Sequence, residues 1–343
     1  LVALRPFAFQ VGLVDEPGGR KTHGASVPLI GGAAMFAGFI LPILLFSELP
    51  PKWLPFFSAS ALMVVIGVID DMRPLPSVVR LATQVFAVLL VSVWGNVRLD
   101  NVGDLVGAGE GILGEWAVPF TVFAAMGVIN AFNMTDGLDG LASGLALILF
   151  AFLGSLAAIA GMTTDLRVVF VLGIVVAIFF LCNFCVKNAW VNRVFMGDGG
   201  SMFLGLAIAC LLIRFSQEPH QVIQPVTALW LFALPLMDTV SLMLRRVFHG
   251  RSPFTADLRH LHHVLLRAGF SAKQVVYVML AVSFVMSSIG LLGLHFEVPE
   301  YVMFAGFMGL FTIYFFTLMR AWRVAKVIRR EVHRARVARG FSE

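Results

Sequence analysis

Four short stretches of this chain place carboxylates beside long apolar runs: Asp15 in VDEPGGRKTHG, Asp70 and Asp71 in GVIDDMRP, Asp136 and Asp139 in NAFNMTDGLDGLASG, and Asp198 in VFMGDGGS. An acid deep in a hydrocarbon layer costs about 2.5 to 3.5 kcal/mol, so acids in such surroundings are candidates for function. Adjacent carboxylates such as Asp70 and Asp71 repel unless a cation, a proton or a cationic side chain lies between them. Arg80 begins the next apolar run and could be that side chain or a phosphate clamp. Asp136 and Asp139 share one face if a helix has begun there. Gly137, Gly140 and Gly144 would then form a stripe that admits a neighbouring helix. Glycines flank Asp198 ahead of a helix expected from about Ser201, a setting that presents backbone N–H groups to an anion and a hard oxygen to Mg2+. A solvated helix cap explains any one of these acids alone; four on one face are harder to explain that way.

The basic counterpart is the stretch RRVFHGRSPFTADLRHLHHVLLRAGF. His260, His262 and His263 stand among Arg251, Arg259 and Arg267, and imidazoles with guanidiniums suit phosphates and sugar hydroxyls. Zinc is disfavoured, because no cysteine accompanies the histidines and the arginines repel a cation. A merely basic loop accounts for the arginines but not for three histidines in four positions. Asp238 stands inside an apolar run two turns before Arg245 and is open between a structural ion pair and a functional role. Cys182, Cys185 and Cys210 lie within apolar runs and read as small core residues, since the CxxC has no second pair or nearby histidine.

The elements that position these groups are hydrophobic. The 343 residues are 59% hydrophobic and 13% charged, against about a quarter charged in a soluble domain. Ten apolar runs (30-46, 54-69, 81-95, 117-134, 138-161, 168-186, 201-216, 225-244, 275-295 and 301-319) approach the 17 to 25 residues, roughly, that a membrane helix needs. They lack the alternation of barrel strands. The expected fold is an all-α polytopic membrane protein, with residues 1-319 as one transmembrane domain and 320-343 as a basic tail. Only fourteen mostly apolar residues precede Asp15, and a further N-terminal helix is expected to be truncated. Most of the 25 lysines and arginines fall in one alternating set of loops, whereas the other set holds Lys52, Arg98 and Arg167. The basic set is therefore read as cytoplasmic, and the tail suits either anionic headgroups or solvent.

Acids, a glycine-rich turn and an Arg/His loop on one membrane face point to Mg2+-assisted chemistry on a phosphorylated substrate, one substrate being a lipid. An ion-coupled transporter and a lipid-phosphate phosphatase are the alternatives of other classes. A transporter would place acids at mid-membrane and show internal repeats, and no repeat is visible.

Taken together and in order, VDEPGGRKTHGASVPLIGG, GVIDDMRPLPSVVRLATQ, NAFNMTDGLDGLASG, RVFMGDGGSMFLG, PVTALWLFALPLMD and GRSPFTADLRHLHHVLLRAGF resemble the polyprenyl-phosphate N-acetylhexosamine-1-phosphate transferases over nearly the whole chain. The HLHH loop and its lead-in are more similar to the WecA-like branch, which uses UDP-GlcNAc, than to the branch that handles UDP-MurNAc-pentapeptide. The resemblance implies that undecaprenyl phosphate attacks the sugar-linked phosphate of UDP-GlcNAc, giving undecaprenyl-diphospho-GlcNAc and UMP; a different UDP-N-acetylhexosamine is the alternative donor. It implies Mg2+, with Mn2+ as substitute, held by Asp198 with Asn133. It implies that Asp70 and Asp71 form a catalytic pair with Asp198, that Phe195 stacks on uracil, and that Asp139 lies near the uridine; Asp136, counted among the substrate-site residues, is open between a place bordering the metal and a structural cap. Arg80, Arg251, His260, His262 and His263 would hold diphosphate and sugar. The setting implied is the bacterial inner membrane with a cytoplasmic site, at the first step of a cell-surface polysaccharide such as O-antigen. Membrane lipids are expected partners, nucleic acid is not, and a homodimer is left open.

Overall fold

The structure, a computed structural model, describes residues 4–16, 26–46, 51–185, 194–250, 252 and 260–320. Arg251, most of the RSPFTADLR lead-in and the tail beyond Arg320 lie outside the described residues. A short helix α1 (Leu4–Val11) leads to a two-residue antiparallel pairing of β1 (Val14–Asp15) with β2 (Val27–Pro28), in which Asp15 faces Val27. The remaining regular elements of the described residues are helices: α2 (Gly31–Phe46), α3 (Leu54–Met72), α4 (Ser77–Leu89), α5 (Ala117–Thr135), α6 (Leu141–Ile159), α7 (Thr163–Phe180), α8 (Gly197–Ser216), α9 (Pro225–Leu231), α10 (Ala233–Phe248), α11 (Leu261–Arg267), α12 (Ala272–His295) and α13 (Glu300–Met319).

A helix occupies most of each of the ten expected runs, and the protein is an all-α multi-pass membrane protein. Among the described residues, eight helices are long and apolar enough to cross a membrane, or nine when the bent pair α9–α10 counts as one span; α2 is shorter. The run expected over 225-244 as a single helix is broken by a bend of 83°. Pro235 supplies the reason: with no N–H it cannot bond the carbonyl of Leu231, one turn back. Ser287 of α12 donates to that carbonyl instead, at 3.4 Å, which is how a broken helix is tolerated where water is scarce.

Helix ends follow local chemistry. Pro55 opens α3, where a missing N–H costs nothing, and Pro74 and Pro76 separate α3 from α4. Ser271 caps α12 reciprocally with Gln274, each side chain accepting from the other's backbone N–H at 3.3 and 2.9 Å.

The axis of the bundle is α8. Its residues are buried almost throughout, against α3, α5 and α2. Lipid is as apolar as leucine, so this packing is held by close fit rather than by expulsion from water. Phe203 of α8 meets Phe36 edge-on at 5.5 Å and Phe39 at 5.9 Å, and Phe39 continues to Phe56 and Phe57. Glycines allow the closest approach: a β-carbon on Gly67 of α3 would fall onto the backbone of Gly199, and one on Gly32 of α2 onto Gly200. At the far end, Arg214 of α8 pairs with the buried Asp165 of α7 and lies 5.0 Å over the Trp53 ring. Cys210 is buried, as expected of a core residue, but Cys182 is only partly buried and Cys185 is exposed.

Candidate active site

Chain direction alternates, so the ends of α3, α5, α7 and α10 and the starts of α2, α4, α6 and α8 gather at one end of the bundle. The acids gather there with them. Sequence reasoning expected a glycine turn before a helix starting near Ser201; instead α8 begins at Gly197 and Asp198 stands in its first turn. Gly197 makes the entry possible with φ of +71°, a conformation that side chains resist.

The N–H of Asp198 donates to Asp71 Oδ1 at 2.9 Å. The anion held at this helix N-terminus is thus the protein's own carboxylate, and the helix dipole adds to the attraction. The second oxygen of Asp71, Oδ2, is buried with no hydrogen-bond partner. Asp70 is occupied differently: Oδ1 accepts from the N–H of Leu75 at 2.6 Å, and Oδ2 pairs with Arg80 at 3.0 Å. Arg80 also approaches Asp198 Oδ2, at 3.7 Å. Arg80 thus bridges Asp70 and Asp198 and does not lie between Asp70 and Asp71, as the sequence had suggested it could. The carboxylates of Asp70 and Asp71 avoid each other by facing separate partners.

Asn133, near the end of α5, donates to Asp198 Oδ1 at 2.9 Å and to Ser201 Oγ at 2.7 Å. Among the described residues no three His, Cys, Asp or Glu side chains cluster as a metal site. Magnesium is commonly held by one or two carboxylates, with water and substrate phosphates completing the shell. The unpartnered Asp71 Oδ2, the partly exposed Asp198 carboxylate and the side-chain amide oxygen of Asn133, whose nitrogen is turned to Asp198, are hard donors of that kind, and their chemistry fits.

The stretch 136-140 is a turn, so Asp136 and Asp139 do not share a helical face. Gly140, with φ of +79°, ends the turn and α6 starts after it. The glycine stripe is corrected with it: Gly137 lies against His262, Gly140 against Phe184 and Gly144 against Leu280, each a side chain rather than one neighbouring helix backbone. Asp136 stands in an exposed turn where packed helix ends displace part of its water. That setting, and then the charge of Asp198, pushes its carboxyl from 3.8 up to about 7. Between those values the folded chain keeps a proton that the unfolded chain has released, so raising the pH through this window costs stability. Without divalent cation, wild-type protein should therefore unfold at lower temperature at about pH 8 than at about pH 5, and Asp136→Asn should reduce that difference, as thermal unfolding in detergent would show.

Of the HLHH residues, His260 and His262 are buried, 6% and 2% exposed, while His263 is partly open. Burial, followed by the neighbouring His263 and His260, pulls His262 down to about 3, so this ring is neutral near pH 7. It packs on Gly137 and joins the histidine loop to the Asp136 turn. Asp238 does not pair with a basic residue at its helix end; its partner is His260 Nδ1, at 2.8 Å.

Phe195 is held by its backbone. Its N–H donates to Pro28 and its carbonyl accepts from Gly31, both at 3.0 Å, and Gly32 donates to Met196 at 2.9 Å. The PLIGG stretch is therefore the clamp that sets the entry to α8. Sequence reasoning missed Asn183, which accepts from Gly140 N–H at 2.6 Å and donates to Val194 at 2.9 Å, tying the two loops together. A lone amide within the apolar LCNFC was the available signal.

A helix bundle whose buried axis carries an acid into a cluster of acids, an arginine and histidines at one end is the arrangement a membrane-embedded transferase of phosphorylated groups requires. The glycosyl transferase family 4 pattern matches residues 53–216, and the chain belongs to this family. It is similar to proteins named undecaprenyl-phosphate alpha-N-acetylglucosaminyl 1-phosphate transferase. That of Escherichia coli O157:H7 is 36% identical over 340 residues, covering 98% of this chain and 92% of that protein. That of Haemophilus influenzae is 37% identical over 337 residues (98% and 95%), and that of Yersinia pestis 34% over 339 (98% and 93%). Nothing in these relationships favours a transporter.

Proposed function

We propose that the chain transfers GlcNAc-1-phosphate from UDP-GlcNAc to undecaprenyl phosphate. An oxygen of the lipid phosphate forms a bond to the sugar-linked phosphorus, the bond from that phosphorus to UMP breaks, and UMP leaves. The observation that carries this reading is the meeting of Asp71, Asp198, Asn133 and Arg80 at the head of α8. The kinship with transferases of undecaprenyl phosphate and GlcNAc-1-phosphate supports it.

Mg2+, bound by Asp198 with Asn133 and completed by substrate phosphates, would neutralise phosphoryl charge and align donor and acceptor. Asp71 borders that position with a free oxygen, whereas both oxygens of Asp70 are engaged. Asp71 is accordingly the member of the pair suited to hold a proton or a cation, and Asp70 the one that holds Arg80. A phosphate monoester is already mostly ionised at pH 7, so the acceptor needs orientation more than deprotonation. The helix ends next to Asp70 and Arg80 expose Ile69, Met72, Val78 and Val79. These side chains let a prenyl tail stay in lipid while its phosphate reaches the arginine.

The distribution of lysine and arginine supports a site on the cytoplasmic face, and the bacterial relatives support an inner-membrane setting. The product would be the first lipid-linked sugar of a cell-surface polysaccharide, O-antigen or a related polymer. The test is to incubate purified protein with Mg2+, undecaprenyl phosphate and a panel of UDP-sugars. UMP release is expected with UDP-GlcNAc; no release with any sugar from folded protein would overturn the reading.

A further inference from the structure

The histidine loop is secured by an acid to which neither its spacing nor its neighbours on α10 points. Asp238 is 5% exposed, within a membrane helix. A buried carboxylate is costly unless its oxygens are satisfied, and these are. Oδ2 faces His260 Nδ1 at 2.8 Å, while Oδ1 accepts from the N–H of Leu261 at 3.0 Å and from the Tyr314 hydroxyl at 2.7 Å. Three elements, α10, α11 and α13, thereby meet on one side chain.

The effect passes along the rings. His260 lies nearly parallel to His262, 10° between planes with centroids 5.6 Å apart, and His262 lies 4.1 Å from His263. The first two rings are buried and His263 keeps open surface. A hydrogen bond to one imidazole nitrogen fixes both the tautomer and the orientation of that ring.

We propose that Asp238 is a positioning residue for the donor substrate: it fixes His260 and the first turn of α11 so that His263 is the histidine that meets the sugar-phosphate. The identity of that substrate rests on the transferase reading above; the linkage from Asp238 to His260 does not. Spacing alone treats the three histidines as equivalent. In the fold, His260 and His262 are supports and His263 is the contact.

The test compares the full chain with Asp238→Asn, Tyr314→Phe, His263→Ala and the Asp238→Asn/His263→Ala double variant. It measures kcat and KM for UDP-GlcNAc by UMP release, and the histidine ring-nitrogen resonances of 15N-labelled protein. Asp238→Asn and His263→Ala are each expected to lower kcat/KM by about 10- to 100-fold, and the double variant should lie within about threefold of the poorer single one, because residues acting through one contact are not additive. Tyr314→Phe leaves two of the three bonds and should cost less. The His260 Nδ1 resonance should move in Asp238→Asn. Losses that multiply in the double variant, or wild-type kinetics in Asp238→Asn, would overturn the proposal. If Asp238→Asn does not fold, Tyr314→Phe combined with His263→Ala supplies the same cycle and decides the matter in the same way. If wild-type protein releases no UMP, the transferase reading falls by itself; an unmoved His260 resonance in Asp238→Asn would separately refute the linkage.

Discussion

Asp198→Asn is expected to lower kcat for UMP release on the order of 10³-fold, since removing the charge proposed to hold Mg2+ would forfeit several kcal/mol of transition-state stabilisation and each 1.36 kcal/mol is about tenfold in rate. The fold should survive. An asparagine side chain can still accept from Asn133, and the backbone N–H of residue 198 still meets Asp71. What is lost is the charge that faces Arg80 and the proposed cation. The concentration of Mg2+ needed for half-maximal rate should rise as kcat falls, which separates this outcome from unfolding. The control is Asp100→Asn, whose carboxylate meets Arg98 at 2.8 Å in an exposed loop at the opposite end; its kinetics should match wild type. Equal kinetics in Asp198→Asn and wild type would remove Asp198 from the metal site.

Gly67→Ala adds one methyl group and is expected to cost both stability and rate. The new carbon would land on the backbone of Gly199, where no flexible side chain can yield. Overpacking of this kind costs about 1 to 3 kcal/mol. The separation of α3 from α8 it forces occurs one turn from Asp70 and Asp71, which must meet the N–H and side chain of Asp198 and its arginine. A displacement of about 1 Å at reacting groups can cost roughly 100-fold. A fall of that order in kcat, with a lower unfolding temperature, is the expected result. Gly127→Ala is the matched control, because a β-carbon there meets nothing within 4 Å. If Gly67→Ala behaved like Gly127→Ala, the close approach of α3 and α8 would not set the site.

The helices were legible because lipid demands long apolar runs and satisfied backbones, and both leave marks in composition. The family resemblance likewise rested on residues whose chemistry is visible: the acids, the glycine turn and HLHH. What stayed illegible was pairing. Asp136 and Asp139 fit a helical period, but one left-handed glycine, Gly140, ends the turn before the helix forms. The 137/140/144 stripe had the spacing for helix contact, yet the backbone approaches are made by Gly32 and Gly67, whose partners lie far along the chain. Asp238 looked equivocal for the same reason. Its partners are 22, 23 and 76 residues away, and no local pattern announces them. The break at Phe232 was signalled by Pro235, but the serine that offsets it belongs to α12.

The burial of α8 also bears on how the site responds to the bilayer. Membranes differ in thickness by several ångströms, and helices that touch lipid adjust by tilting or kinking. In this protein α4 and α13 have broad lipid-facing surfaces, whereas α8 is screened from lipid along almost its whole length. Mismatch strain is thus applied to the perimeter, and the helix that carries Asp198 is shielded like an axle inside a hub. Its head is pinned by Asp71 and Asn133 and its foot by Asp165 and Trp53. The spacing among the acids should accordingly persist as the surrounding bilayer thins or thickens, and changes in lipid chain length should act on entry of the prenyl acceptor at the rim before they act on the chemistry at the centre.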